Sequence, residues 1–374
     1  MNKLLPVITI SMIIAILSDY FSTSTYDSYG RKIYEIKEKI LYFVLIIIMS
    51  GFIGLRTSYN DTFTYLSSYK GATGTIEAVK TISLALGDNP GYAFVMQIMK
   101  YFHVSPQSYL MLYSLLTNSI YLWFLRKYSK NTWLSVFLFI TMGCYIFTGA
   151  AIKQCVAIAF CLIATDRFIQ KKKLKFVLWV LIASTFHPYS LMYLVVPFLT
   201  FEPWSNKTYL LLIIFAIVGF GMQSLMGTVI NITTMLGEEY DASTFSGEGI
   251  NIFRLAVVWV PVIVSFVTRS YLRTSNSKTD NIILNLTILN AEIMFVGLFG
   301  TANYFGRLAN YFLIFQVLCL PHLFDGFSNQ SKKLITILCV VGFIFYFYYE
   351  NAINSVFDYE FSRITLPEFI KSFF

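Results

Sequence analysis

Runs of about 18 apolar residues or more recur along this chain from one end to the other. Each is long enough to cross a hydrocarbon core about 30 Å thick at 1.5 Å of helix rise per residue. One such run can be a buried helix of a soluble protein, but a long series of them cannot all be hidden inside 374 residues. Charged residues make up only 13% of the chain, against about 25% in soluble domains. The expected class is therefore an all-α, polytopic integral membrane protein. The first run, Leu4 to Leu17, is expected to be a helix rather than a cleaved leader, because Asp19 and Tyr20 follow it instead of a small-residue cleavage site.

The predicted spans lie near 4–20, 40–55, 106–125, 132–149, 151–168, 174–187, 188–201, 208–229, 251–268, 280–299, 307–324 and 334–349. With about 12 transmembrane helices in this register, the Lys- and Arg-rich loops fall on one side. Arg31, Lys32, Lys37 and Lys39 lie there, with Arg126, Lys127 and Lys130, Lys171 to Lys175, Lys207, Arg269, Arg273 and Lys278, and Lys332 and Lys333. Short loops rich in these residues stay cytoplasmic, which places both termini on the outer side. The outer face then holds loops at about 56–105 and 230–250 and the tail from Glu350. Residues 90–103 (PGYAFVMQIMKYFH) form an amphipathic helix on the outer surface or a partly re-entrant one. No internal repeat or low-complexity linker divides the chain, so residues 1–374 read as a single transmembrane domain.

The net charge of +8 comes mainly from the cytoplasmic loops, and no nucleic-acid motif accompanies it. Cys144, Cys155, Cys161, Cys319 and Cys339 all fall in apolar segments without metal-ligand spacing. No zinc motif, Gly-rich phosphate loop or Ser–His–Asp arrangement is present. The reading predicts no metal site and no cofactor.

Several cationic groups break the charge rule on the outer side. Arg56 follows the second span in GLRTSYNDTFTY, Lys153 opens the fifth in GAAIKQCVAIAF, and His187 closes the sixth in STFHPYS. Arg254 opens the ninth in NIFRLAVVW, and Arg307 the eleventh in NYFGRLANYF. Any one of them can simply snorkel to the headgroups, and His187 alone fits a packing histidine ahead of Pro188. As a set they suit an anion at the membrane surface, above all a lipid phosphate or pyrophosphate, since arginine donates bidentate hydrogen bonds to phosphate oxygens. Asn303, Arg307, Asn310 and Tyr311 recur at helical spacing and are expected to share one face, with Asn303 and Tyr311 as acceptor-site residues. Gly149, Ala150, Ala151 and Ala157 around Lys153 permit close helix packing. Asp61 is expected to pair with Arg56. Glu238, Glu239, Asp241 and Glu248 stud the 230–250 loop as solvated surface, with Glu238 and Glu239 the candidates for acceptor contact. Glu292 lies in the middle of a span, where a carboxyl is either a functional candidate or simply protonated or hydrogen-bonded.

The stretch GLRTSYNDTFTY resembles the "G-x-R, then D-T-x-x-Y" signature that follows the second helix in the EpsG family of bacterial polysaccharide polymerases. The block from Gly149 to Pro197 is similar to the family's centre. Lys153 and Gln154 open an Ala-rich helix there, Lys171 to Lys175 make a cytoplasmic turn, and Phe186 and His187 end the next helix. Arg307, Tyr311 and Phe312 resemble its late "R…YF" segment. One departure is Lys153, where the family usually has Arg; lysine keeps the charge and loses the planar fork.

The resemblance implies a Wzy-type polymerase of O-antigen, capsule or exopolysaccharide in the bacterial cytoplasmic (inner) membrane. Its substrates would be oligosaccharides linked to undecaprenyl pyrophosphate, its surroundings membrane lipids, and its partners a chain-length regulator and a flippase. Arg56, Lys153, Arg254 and Arg307 would hold pyrophosphate, and Asp61 or His187 would take the acceptor's proton. Two rivals compete with this reading. A lipid-linked oligosaccharide flippase or other secondary transporter would place its site near the bilayer midplane on broken, repeated helices. A membrane acyltransferase would need a catalytic histidine or a comparable acyl-transfer site, for which His187 is the outer-side candidate.

Overall fold

Apolar runs become helices, and small polar residues fix where several of them start. The computed structural model describes residues 3–22, 25–26, 32–33, 36–237, 249–275, 277–353 and 360–371. The described residues divide into two compact units, one built from those up to 191 together with those from 342 onward, the other from residues 192–341. The fold is all-α, with two short antiparallel strand pairs among the described residues.

In the first unit α1 (Leu5–Tyr20) and α2 (Ile36–Gly54) pack as a hairpin, joined through the strands β1 (Thr25–Tyr26) and β2 (Lys32–Ile33). Strand β3 (Arg56–Ser58) follows α2 directly and leads into α3 (Thr62–Gly71), α4 (Ile76–Lys80) and α5 (Pro90–Tyr101). Ser105 accepts the Ser108 amide at 3.1 Å and Pro106 occupies the first turn, which opens α6 (Pro106–Tyr128). Then come α7 (Thr132–Thr141), α8 (Cys144–Ala150), α9 (Ile152–Ile169) and α10 (Lys173–Ser184). Helix α2 packs on α6, and α9 lies against both α6 and α10. Side-chain hydroxyls tie these helices together by donating to backbone carbonyls of their neighbours. Tyr42 donates to the Leu122 carbonyl at 2.8 Å, Ser114 to that of Ser50 at 2.7 Å, and Tyr145 to that of Met49 at 2.9 Å.

Polar contacts fasten both ends of this unit. At one end the buried Asp166 accepts from Lys127 at 2.5 Å, Tyr128 at 2.6 Å and Gln170 at 2.6 Å. Its second oxygen lies 3.6 Å from Arg167. This network clamps the C-terminal ends of α6 and α9. At the other end the Lys3 ammonium reaches the Phe361 carbonyl at 2.6 Å, and strand β4 (Ser362–Arg363) pairs with β3. The segments around Lys3, Arg56 and Phe361 therefore meet at one face.

The second unit contains α11 (Asn206–Phe220), α12 (Met222–Met235), α13 (Ile252–Val267), α14 (Arg269–Ser275), α15 (Lys278–Phe299), α16 (Ala302–Asn310), α17 (Leu313–Leu323) and most of α18 (Asn329–Tyr348). Its centre is α15, opened by a capping box in which Ser277 and Asp280 satisfy each other's backbone amides. α11, α13, α16 and α17 all pack against it. α19 (Leu366–Lys371) is the last described helix of the chain and belongs to the first unit.

Several predicted spans differ from the helices found. The run 132–149 breaks where Gly143 adopts φ +85°, a conformation that suits glycine, and α7 and α8 meet at 50°. The run 208–229 turns by 94° between α11 and α12. The run 307–324 starts earlier, at Ala302, and bends by 58° between α16 and α17. The run 188–201 is not an α-helix; Pro188–Phe198 winds as tighter 3-10 turns. Among the described residues α15 and the segment Asn329–Ile353 are long and apolar enough to cross a membrane alone, and five spans result if each bent pair counts as one. Leu5–Tyr20, Lys39–Gly54, Pro188–Phe198 and Ile252–Val267 are shorter apolar segments. They carry exposed apolar side chains, such as Ile13, Phe43, Ile47 and Ile263, which a water-facing surface avoids.

Candidate functional site

Arg56 is the centre of the candidate site in the first unit. It stands two residues past α2, and its side chain is 1% exposed. Nη1 donates to the Ile53 carbonyl at 2.9 Å, capping the last turn of α2, and Nε donates to Thr62 Oγ1 at 3.0 Å. Gln107 pins the backbone on either side by donating to the carbonyls of Gly54 at 2.7 Å and Arg56 at 3.1 Å. Nη2 has no partner among the described residues. Burial pushes the guanidinium pKa from 12.5 down to about 10, opposed weakly by the Tyr65 hydroxyl, the Cys155 thiol and the hydroxyls of Tyr109 and Tyr59. A buried cation with an unused donor is costly to a fold, and it is what an anion site needs.

The expected Arg56–Asp61 ion pair does not form. Asn60 takes a left-handed φ of 45°, which turns Asp61 onto the exposed N-terminus of α3, and Thr62 meets the arginine in its place. Asp61 instead acts on Tyr65, whose pKa rises through burial first and the Asp61 charge second. The Tyr65 hydroxyl accepts from the Lys153 backbone amide, one of the donors in the first turn of α9 that have no partner within the helix. Tyr65 thus touches the setting of both Arg56 and Lys153. The Lys153 ammonium lies 5.0 Å from the ring centroid of Tyr92, a cation–π distance. Tyr92 belongs to a cluster in which its ring stacks on Tyr113 at 5.8 Å and meets Tyr65 edge-on at 6.1 Å, while its hydroxyl bonds that of Tyr109.

Helix α5, read from sequence as an outer amphipathic or re-entrant segment, docks through its first turn. The Gly91 amide donates to the Thr185 carbonyl at 2.8 Å. A Cβ at Gly91 would stand 2.2 Å from Thr185 Oγ1, so only glycine allows that approach. The other face of α5 leaves Phe94, Ile98 and Tyr101 exposed. Thr185 lies just before His187, whose half-buried ring meets that of Tyr189 edge-on at 5.1 Å. Arg56, Lys153 and His187 are in this way linked through Tyr65, Tyr92 and the α5–α10 contact. A Cβ at Gly149 would lie 3.3 Å from Ile53 and 3.5 Å from Tyr59, the close approach expected of that small residue.

The remaining candidates belong to the second unit. Asn251 caps α13, accepting the amides of Phe253 at 2.8 Å and Arg254 at 3.4 Å, and Arg254 is half-buried. Asn303 and Arg307 are exposed on α16. Tyr311 does not continue their stripe: the helix breaks there, its ring is buried 6.3 Å from that of Tyr193, and its carbonyl accepts the Tyr193 hydroxyl at 2.6 Å. Behind α16 lies a polar core in which Gln316 donates to the carbonyls of Val258 and Thr287 and to Asn290 Oδ1. Glu292 is buried on α15. Glu238 and Glu239 lie outside the described residues, as do Asp241 and Glu248. Among the described residues no three His, Cys, Asp or Glu side chains gather as metal ligands, and the five cysteines are free.

Sequence reasoning missed Tyr92 and Arg363. Thr62 and Tyr65, by contrast, are the T and Y of the signature after the second helix, so that motif encodes the shell of Arg56. The model of the EpsG family matches residues 39–361 of the chain. No curated protein and no solved structure matches it.

Proposed function

Because the chain belongs to the EpsG family, whose members are membrane proteins of polysaccharide biosynthesis, we propose that it polymerises oligosaccharide repeat units carried on undecaprenyl pyrophosphate. The reaction takes place at the outer face of the bacterial cytoplasmic membrane, which the chain crosses many times. An acceptor hydroxyl attacks the anomeric carbon of the lipid-linked glycan. The glycosidic C–O bond forms, the bond to pyrophosphate breaks, a carboxylate or imidazole takes the hydroxyl proton, and the carrier leaves as pyrophosphate.

The observation that carries this reading is the buried Arg56 guanidinium with its unpaired Nη2. Negative charge grows on the leaving pyrophosphate, and a cation already held in place stabilises it without reorganisation. Lys153 adds a second charge backed by Tyr92. Asp61, exposed and acting on Tyr65, and His187, just past the end of α10, are the candidates for the base. Within the second unit, Arg254 and Arg307 are the phosphate-holding candidates.

Purified protein in detergent should lengthen lipid-linked units to integer multiples of one repeat without a membrane gradient, and Arg56→Ala should not. A second reading, a flippase, draws on the three bent helix pairs and the buried Asn290, Gln316 and Glu292, features that transporters use near the midplane. Protein that never joins two units, yet whose loss strands them inside the cell, would establish the flippase and overturn the polymerase.

A further inference from the structure

The strand pair β3–β4 sets two arginines directly opposite one another. Arg56 and Arg363 are Cα partners in this antiparallel register, where like charges are unfavourable. The pairing is nevertheless well fastened. The Ile364 amide donates to the Leu55 carbonyl at 3.0 Å, and Ser58 donates to the Glu360 carbonyl at 2.5 Å. Ser362 Oγ lies 2.7 Å from Thr57 Oγ1 and 2.8 Å from Ser58 Oγ. Phe361, 0% exposed, stacks on Phe52 at 5.0 Å.

Arg363 itself is exposed, with its guanidinium carbon 5.2 Å from the centroid of the same Phe52 ring. It makes no ion pair among the described residues. The carboxylates of the adjoining segments act elsewhere, Glu360 on Tyr59 and Asp61 on Tyr65. Lys3 brings a further positive charge to the Phe361 carbonyl. An aromatic ring behind a guanidinium fixes its plane while leaving its N–H edges for a ligand. The family match ends at residue 361, so Arg363 lies just beyond the shared region.

We propose that Arg363 is a second phosphate-binding residue, presented by β4 beside Arg56, and that the pair receives the pyrophosphate of a lipid-linked saccharide. This rests on the polymerase reading. Arg56 supplies the fixed, buried charge, and Arg363 supplies the accessible fork that first meets the anion.

The test measures binding of undecaprenyl pyrophosphate to purified full-length protein in phosphatidylcholine nanodiscs. Arg363→Ala should weaken it about tenfold, the loss of one charge-assisted contact, and Arg363→Lys should recover part. Arg363→Gln keeps the stem on Phe52 and serves if the alanine variant melts early. Wild-type affinity in a folded Arg363 variant, with Arg56→Ala weakened, would overturn the role of Arg363 and leave the polymerase reading standing. Unchanged binding in both variants would overturn both. Phosphatidylglycerol that competes in the wild type but not in Arg363→Gln would make the occupant a bulk lipid headgroup and overturn the substrate assignment.

Discussion

Replacing Arg56 by methionine separates a binding arginine from a structural one. Burial lowers its pKa from 12.5 to about 10, and at about 1.36 kcal/mol per pKa unit holding the charge costs the fold roughly 3 kcal/mol. The variant loses hydrogen bonds to Thr62 and to the Ile53 carbonyl, each worth about 1 kcal/mol net or somewhat more. Thr62 keeps its bond to the Tyr59 carbonyl at 2.5 Å, and no carboxylate is left behind. The terms nearly cancel, so Arg56→Met should stay within about 1 kcal/mol of wild type, whereas breaking a buried ion pair costs about 3–5 kcal/mol. Thermal melting in detergent should shift by no more than about 4 °C, while surface-glycan gels lose their long chains. A melting loss of about 10 °C or more would make the guanidinium a structural clamp, and full-length glycan would remove it from the site.

Lys153→Arg should keep long glycan, since a guanidinium stacks on Tyr92 at least as well as an ammonium, whereas Lys153→Ala should shorten it on the same gels. Gly91→Ala places a methyl against Thr185 and should cost about 1–3 kcal/mol by overpacking; melting measures this, and adding Thr185→Ala should recover part. Asp61→Asn leaves an exposed position and should not change melting, yet if Asp61 is the base the joining rate should fall about 10²–10⁴-fold. His187→Gln is the parallel variant, and near wild-type rates in both would leave neither as the proton acceptor. Cysteines placed at Lys172 and Arg273 should resist an impermeant thiol reagent in intact cells while one at Lys70 reacts; the reverse would invert the topology.

Helices were legible because long apolar runs leave few alternatives, and the end of α2 was legible through its motif. The breaks were harder to read. Apolar composition continues straight through Gly143 and Gly221, and only backbone geometry shows that the helices turn. The same limit explains Tyr311, which helical spacing places with Arg307 although the helix ends between them. Asp61 is near Arg56 in sequence, but the turn at Asn60 decides the partner. Arg363 carried no local signal at all: a two-residue strand has no periodicity, and its partner Arg56 lies near the opposite end of the chain.

That separation has a consequence for synthesis. Thr57 and Ser362, in contact across β3 and β4, are 305 residues apart. At about 5–20 residues per second, roughly 15–60 s pass between translation of the first and the second. During that interval β3 emerges from the ribosome without the strand that will pair with it, and Phe52 waits for the Phe361 ring that will stack on it. A chain stalled in α18 would have the segments that carry Arg56, Lys153 and His187, yet lack the strand that pairs with β3.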